Sequence, residues 1–192
     1  MRIAIIGPSG SGKSTFAKEM FHIFQIASEA SKTLIHYEHE ENKVTYEYLN
    51  CDEWVDETYE DMYGDIVKHI AFICPMCFVK ATCKAITGEK LCDYKKIDKK
   101  VLGSFLLTHD KERIQLEDLF FTSMKEYIEP HNNIIVDGLL PRFLKKIKFD
   151  YVLYVHTEEK ERIKRLKGRG VSPKRIKEIM NVQEEMFRSP LT

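Results

Sequence analysis

Arg2-Ile3-Ala4-Ile5-Ile6-Gly7-Pro8-Ser9-Gly10-Ser11-Gly12-Lys13-Ser14-Thr15 is the stretch whose reading decides the fold. Residues 2–6 are a short aliphatic run of the kind found in a parallel strand buried on both faces. From Lys13 the spacing changes: Phe16, Met20, Ile23, Phe24 and Ala27 recur at three- and four-residue steps, which predicts an amphipathic helix. Between them, Gly7 to Ser14 match G-x-x-x-x-G-K-[ST], the P-loop pattern. Such a loop turns backbone N–H groups inward as an anion nest, and the following helix points its positive end at the same spot. Lys13 then reaches the β- and γ-phosphates of a nucleotide, and the Ser14 hydroxyl is placed to ligate Mg²⁺. A glycine-rich turn that binds nothing needs neither the lysine, the hydroxyl nor this strand–helix frame. The expected phosphate-binding residues are Gly7, Ser9, Gly10, Ser11, Gly12, Lys13, Ser14 and Thr15, with ATP and Mg²⁺ as cofactors.

The same alternation continues along the chain. Residues 34–39 and 44–49 alternate around a polar Glu41-Asn42-Lys43 turn and read as a hairpin or two strands, the second ending at Asn50-Cys51-Asp52. Residues 53–130 are mostly helical in character. Ile134-Ile135-Val136-Asp137 and Tyr151-Val152-Leu153-Tyr154-Val155 read as two further buried strands, and very basic helical sequence follows from Glu158. Strands alternating with helices predict an α/β fold: a parallel sheet covered on both faces, the three-layer P-loop NTPase architecture. With 192 residues, against about 150 per domain, one domain is expected. Its core is residues 1–52 and 131–157, with a helical region at 53–130 and a lid and C-terminal helix at 158–192.

Composition excludes several classes. Thirty basic residues balance thirty acidic ones, which argues against a protein that coats nucleic acid or an anionic membrane. No apolar run approaches the roughly 18 residues of a membrane span, and the N-terminus is broken by Gly7 too early for a signal peptide. Five cysteines, four of them bunched at Cys74, Cys77, Cys83 and Cys92, do not make a secreted disulfide framework; free thiols in a reducing compartment or a metal site suit them better. The expected location is the cytoplasm, with neither nucleic acid nor membrane as partner and the oligomeric state open.

A P-loop by itself does not name a reaction. Arg162, Arg165 and Arg169 recur at three- and four-residue steps and so share one helix face. They form either a phosphate-clamping kinase lid or a solvated basic face. Asp52 lies just past a strand's carboxyl end, where a carboxylate can take the proton of an attacking hydroxyl; the competing reading is a helix N-cap. Asp137 ends an apolar strand and is either a Mg²⁺ ligand acting through water or a turn residue before Gly138. Cys74-Pro75-Met76-Cys77 has the gap of a zinc knuckle, but the eight residues between Cys83 and Cys92 match no standard half-site. Structural Zn²⁺ and buried thiols acting as small hydrophobes are both open.

Several of these segments resemble dephospho-CoA kinases. Arg165-Leu166, Arg169-Gly170-Val171-Ser172 and then Ile176, Ile179 and Gln183 look like that family's lid and following helix. Asp137-Gly138-Leu139-Leu140, Ile97-Asp98-Lys99-Lys100-Val101-Leu102-Gly103 and Leu116-Glu117-Asp118-Leu119 look like further family segments in the same order. Leu49-Asn50-Cys51-Asp52 is similar to its Ile-Asp-x-Asp element, whose second acidic position is catalytic; Asn50 stands where the family has the first. Residues 31–43 and 71–87 look like insertions or replacements, and the family continues into another strand beyond the point matching Thr192. The resemblance implies an ATP-dependent kinase that transfers the γ-phosphoryl group to a small nucleotide-like acceptor, foremost the ribose 3′-hydroxyl of dephospho-CoA. It implies Lys13, Asp52, Arg165 and Arg169 as catalytic residues, Arg165 also touching ATP, and residues 53–130 as the acceptor-binding region. The rivals are a (deoxy)nucleoside monophosphate kinase and a non-enzymatic ATP-binding P-loop module.

Overall fold

The computed structural model describes residues 1–35, 45–58, 106 and 109–187. Among these, four strands make one parallel sheet: β1 (Arg2–Ile6), β2 (Glu47–Asn50), β3 (Ile134–Asp137) and β4 (Tyr151–Tyr154), in the order β2-β3-β1-β4. Ile3 pairs with Ile135 on one side and Tyr151 on the other, while Asn50 and Ile5 both align with Asp137. Ala4, Ile5, Ile6, Ile134, Ile135 and Val136 are all 0% exposed. Successive side chains of a strand point to opposite faces, so burial at every position means that both faces are covered. Each aliphatic side chain buried in this way stabilises by about 2 kcal/mol.

Helix α1 (Lys13–Ile35) supplies one cover. Ala17, Met20, Phe21 and Phe24, at steps of three, one and three, turn one stripe onto Ile3, Ile5 and Ile135. Phe21 reaches Tyr48 at 5.5 Å and Phe24 stacks on Tyr46 at 4.8 Å between ring centroids, so aromatic pairs fasten the helix to β2 and to the residue just before it.

Two expectations change. Residues 34–35 belong to α1 rather than to a strand, because a helix once nucleated gains a hydrogen bond with each added residue. Residues 36–44 lie outside the described residues. Tyr151–Tyr154 is a strand but not a buried one: Tyr151 is 58% exposed. Its only neighbour among the described strands is β1, so it has the burial of an edge.

The chain divides into two compact units, Met1–Asp52 with Lys125–Thr192, and Glu53–Met124. The second holds most of α2 (Cys51–Thr58) and most of α3 (Asp110–Ile128). Arg113 ties the first turns of α3 by bonding Asp110 at 2.8 Å and Glu117 at 3.2 Å. Leu116, Phe120 and Met124 form its buried stripe at four-residue steps. The helical reading agrees over 53–58 and 110–128; the intervening cysteines, Cys74, Cys77, Cys83 and Cys92, lie outside the described residues.

In the first unit, a 3₁₀ segment (Pro141–Lys146) precedes β4, and helices α4 (Glu159–Gly168) and α5 (Pro173–Phe187) follow it. Pro173 suits the first turn of α5, where the N–H it lacks has no intrahelical partner, and Ser172 Oγ accepts from the Arg175 N–H at 3.3 Å as a cap. Among the described residues no helix is long and apolar enough to cross a membrane.

Candidate functional site

The P-loop leaves β1 at Gly7 and enters α1 at Lys13. A Cβ on Gly7 would lie 2.6 Å from the Val155 carbonyl oxygen, a backbone atom that cannot step aside. Gly10 has φ +79°, and a Cβ there would lie 3.0 Å from the Arg162 carbonyl oxygen. Only glycine satisfies both the dihedral and the approach. The turn is closed by Ser11 N–H donating to Pro8 at 3.1 Å and Phe16 N–H to Gly12 at 3.0 Å. The first-turn N–H groups of α1, on Lys13, Ser14 and Thr15, have no intrahelical carbonyl to bond. They converge with the positive end of the helix, which is the electrostatics of an anion site.

Two carboxylates stand beside this loop because the sheet register brings them there. Asp137 ends β3, next to the strand that leads into the loop, and is 1% exposed. Its Oδ2 accepts from the Tyr48 hydroxyl and from Asn50 Nδ2, each at 3.3 Å. Its Oδ1 is buried with no hydrogen-bond partner among the described residues. Burial pushes the Asp137 carboxyl above its ordinary value; the Ser14 hydroxyl, the Lys13 ammonium and the Tyr48 hydroxyl pull it back, and the Asp52 charge adds to the rise. A buried carboxylate oxygen without a partner, beside a serine hydroxyl, is a hard-oxygen donor set of the kind Mg²⁺ takes together with water and phosphate. The residues therefore fit the cation.

Asp52 is exposed on the first turn of α2, and its backbone N–H donates to Asn50 Oδ1 at 3.0 Å. This geometry makes Asn50 the N-cap and removes that reading from Asp52. Asn50 is thus doubly used: its oxygen caps α2 and its amide group holds Asp137. An ionised aspartate in its place could do the first and not the second. Cys51, between them, is buried; burial and then the Asp52 and Asp137 charges push its thiol well above the usual range, against Lys13. It stays a neutral thiol, not a nucleophile.

The basic helix turns its guanidinium groups to the loop's backbone. Arg162 Nε donates to the Ser9 carbonyl at 3.0 Å, and Arg165 Nη1 to the carbonyls of Gly10 and Ser11, both at 3.2 Å. Arg165 Nε also bonds Glu161 at 3.1 Å. Arg169 is the exposed residue just after α4. Thr157 Oγ1 donates to the Ser11 carbonyl at 2.7 Å.

Residues from the ends of β1, β2 and β3 and from α4 therefore meet at the carboxyl edge of the sheet, where open α/β sheets bind ligands. Lys13, Ser14, Asp52, Asp137 and Arg165 are gathered there, though Arg165 faces loop carbonyls. Sequence reasoning did not single out Tyr48 or Thr157. Tyr48 and Asn50 are two apart on one strand, a spacing that shows a shared face but not that β3 lies beside it. Among the described residues no group of three or more His, Cys, Asp or Glu side chains is arranged to hold a metal ion.

Comparison with known proteins agrees with this architecture. The crystal structure of TT1252 from Thermus thermophilus is similar, with a TM-score of 0.56 and 17% identity over 97% of this chain and 80% of that one. At that identity the likeness speaks for the fold, an α/β P-loop NTPase fold with a parallel sheet. A search of curated proteins finds no match. The family pattern described as AAA domain matches residues 81–188, a span that begins after the P-loop and takes in β3, Asp137, β4, α4 and all of α5. That span exceeds half of the sequence, and the chain belongs to the AAA domain family of P-loop proteins.

Proposed function

We propose that the chain is an ATP-dependent kinase that transfers the γ-phosphoryl group to a small nucleotide-like acceptor, with the ribose 3′-hydroxyl of dephospho-CoA as first candidate. One observation carries the reading: two carboxylates of different character, Asp137 buried and Asp52 exposed, share the surroundings of Cys51 with the P-loop lysine. A switch module needs a phosphate cradle and a metal aspartate; the second, exposed carboxylate is what a transferase adds.

Each residue has a role in this reading. Lys13 and the first-turn N–H groups of α1 bind the phosphates and take up charge as it develops on the transferring group. Ser14 and Asp137 hold Mg²⁺, which when bound neutralises charge on the phosphate oxygens. Asp52 accepts the proton of the attacking hydroxyl, its exposure leaving it within reach of a substrate. Arg165 on α4 and Arg169 just after it complete the phosphate side, and residues 53–130 supply the acceptor site. Catalysis then consists of positioning and electrostatics, without a covalent intermediate.

The acceptors make opposite demands. A ribose hydroxyl needs a base; a monophosphate oxygen is already anionic and needs cations. ADP release is measured over dephospho-CoA and the common nucleoside monophosphates, for the wild type and Asp52→Asn. The reading expects turnover with dephospho-CoA, lost by at least about a hundredfold in Asp52→Asn with ATP affinity retained. Turnover of a monophosphate that survives Asp52→Asn makes the chain a nucleoside monophosphate kinase. No turnover of any acceptor, with ATP still bound, leaves the non-enzymatic module.

A further inference from the structure

We infer that Gln183, on α5, is a positioning residue of the nucleotide site: acting through Ser9 and braced by Arg162, it holds the outer arm of the P-loop in its binding-competent shape. The inference rests on the phosphate role of the loop and goes beyond it. Ser9 has three polar groups, and two side chains from the C-terminal helices take all of them. Its N–H donates to Gln183 Oε1 at 2.8 Å, its Oγ accepts from Gln183 Nε2 at 2.7 Å, and its carbonyl accepts from Arg162 Nε at 3.0 Å. Arg162 Nη2 donates to the same Gln183 Oε1 at 3.1 Å and closes the ring. A glutamine suits this place because its amide offers an acceptor and a donor side by side, facing a backbone N–H and a hydroxyl.

The loop needs an external hold. Gly7, Gly10 and Gly12 let it curl, but glycine has the largest conformational freedom to lose on ordering. A loop that must be ordered by its ligand binds more weakly by the fraction of time it is already in shape. Ser9 sits between the first two of these glycines, so fixing it on three sides fixes the arc that leads into Gly10, Ser11 and Gly12. Its N–H is committed to Gln183, so Ser9 serves a phosphate through the shape of the loop. α5 is 168 residues away in the chain from the end of the P-loop at Thr15 if counted to Gln183, and only the fold brings the two together.

The test is calorimetric binding of Mg·ADP to wild type, Gln183→Met, Ser9→Ala and the double variant, with Lys13→Ala as control. Methionine keeps the length and helix preference of glutamine and removes its three bonds, and alanine at 9 removes only the hydroxyl, so folding is kept in both. A loop that is less often in its bound shape predicts a Kd raised about tenfold in Gln183→Met and a few-fold in Ser9→Ala. The double variant matches Gln183→Met alone, because the hydroxyl acts only through the glutamine. Wild-type affinity in Gln183→Met while Lys13→Ala loses binding overturns the inference and spares the phosphate reading. Fully additive losses overturn it too, since Ser9 and Gln183 would then act separately. Undiminished binding in Lys13→Ala overturns the phosphate reading itself.

Discussion

Asp137 is a carboxylate kept in a place that penalises it. It is almost wholly buried, one oxygen has no partner among the described residues, and desolvation raises its pKa above the unfolded value. An acid shifted in that direction contributes stability that is present in full below the unfolded pKa and is lost as pH rises through the folded one. Above the folded pKa the ionised carboxyl carries the whole penalty. Asp137→Asn is therefore expected to raise the stability of the metal-free protein at pH 7 by about 1 kcal/mol, a gain that fades as pH falls toward about 4. ATP turnover in the same variant drops by orders of magnitude. Thermal melts across pH beside an ADP-release assay check both halves. A lower melting temperature at pH 7 would mean that the carboxylate earns its place structurally rather than as a ligand.

At the scale of elements, α4 reaches the P-loop through Arg162 and Arg165, and Arg165 differs from Arg169 beyond its end. Arg165 spans from Glu161 to the carbonyls of Gly10 and Ser11, whereas Arg169 is exposed beyond the helix end. Arg165→Ala is expected to weaken ATP binding and to slow turnover, with a stability change of about 1 kcal/mol or less because the guanidinium is partly exposed. Arg169→Ala is expected to leave ATP affinity within about twofold and to lower turnover only, as a residue that meets phosphate in the transition state does. Steady-state kinetics with thermal melts separate these outcomes. Unfolding by either change, with full specific activity in what remains folded, would make the helix face structural.

Across the whole molecule, the buried core runs the length of β1 and β3 and the chemistry gathers at their carboxyl edge. Ile3 lies toward the start of β1, 3% exposed, in the cluster with Ile5, Ala17 and Ile135, while the loop and both carboxylates gather at the carboxyl edge. Ile3→Ala is expected to cost about 3 kcal/mol by leaving a cavity in a close-packed layer. Mg·ADP affinity of the folded protein should stay at the wild-type value. Denaturant melts and calorimetry measure the two, and a matching loss of affinity would show that strain travels the length of β1 into the P-loop.

The strand-to-loop-to-helix passage at Arg2–Lys13 was legible in the amino-acid sequence alone, and so were the strand at Ile134–Asp137 and the helices after Glu158. Local periodicity and the glycines state these directly, since both are properties of neighbours in the chain. Asp52 and Asp137 were readable as candidates because carboxylates at strand ends are a local pattern. What only the tertiary structure decided is who their neighbours are. The order β2-β3-β1-β4 places Tyr48 and Asn50 against Asp137 and hands the capping role to Asn50 rather than Asp52. The same folding sets β4 at the exposed edge of the described sheet and carries Gln183 back to Ser9. Periodicity records which face a side chain shares with its own element; it holds no record of which distant element will pack there. That is settled by strand pairing and burial, and here those long-range choices turn a common phosphate loop into one held by glutamine and arginine.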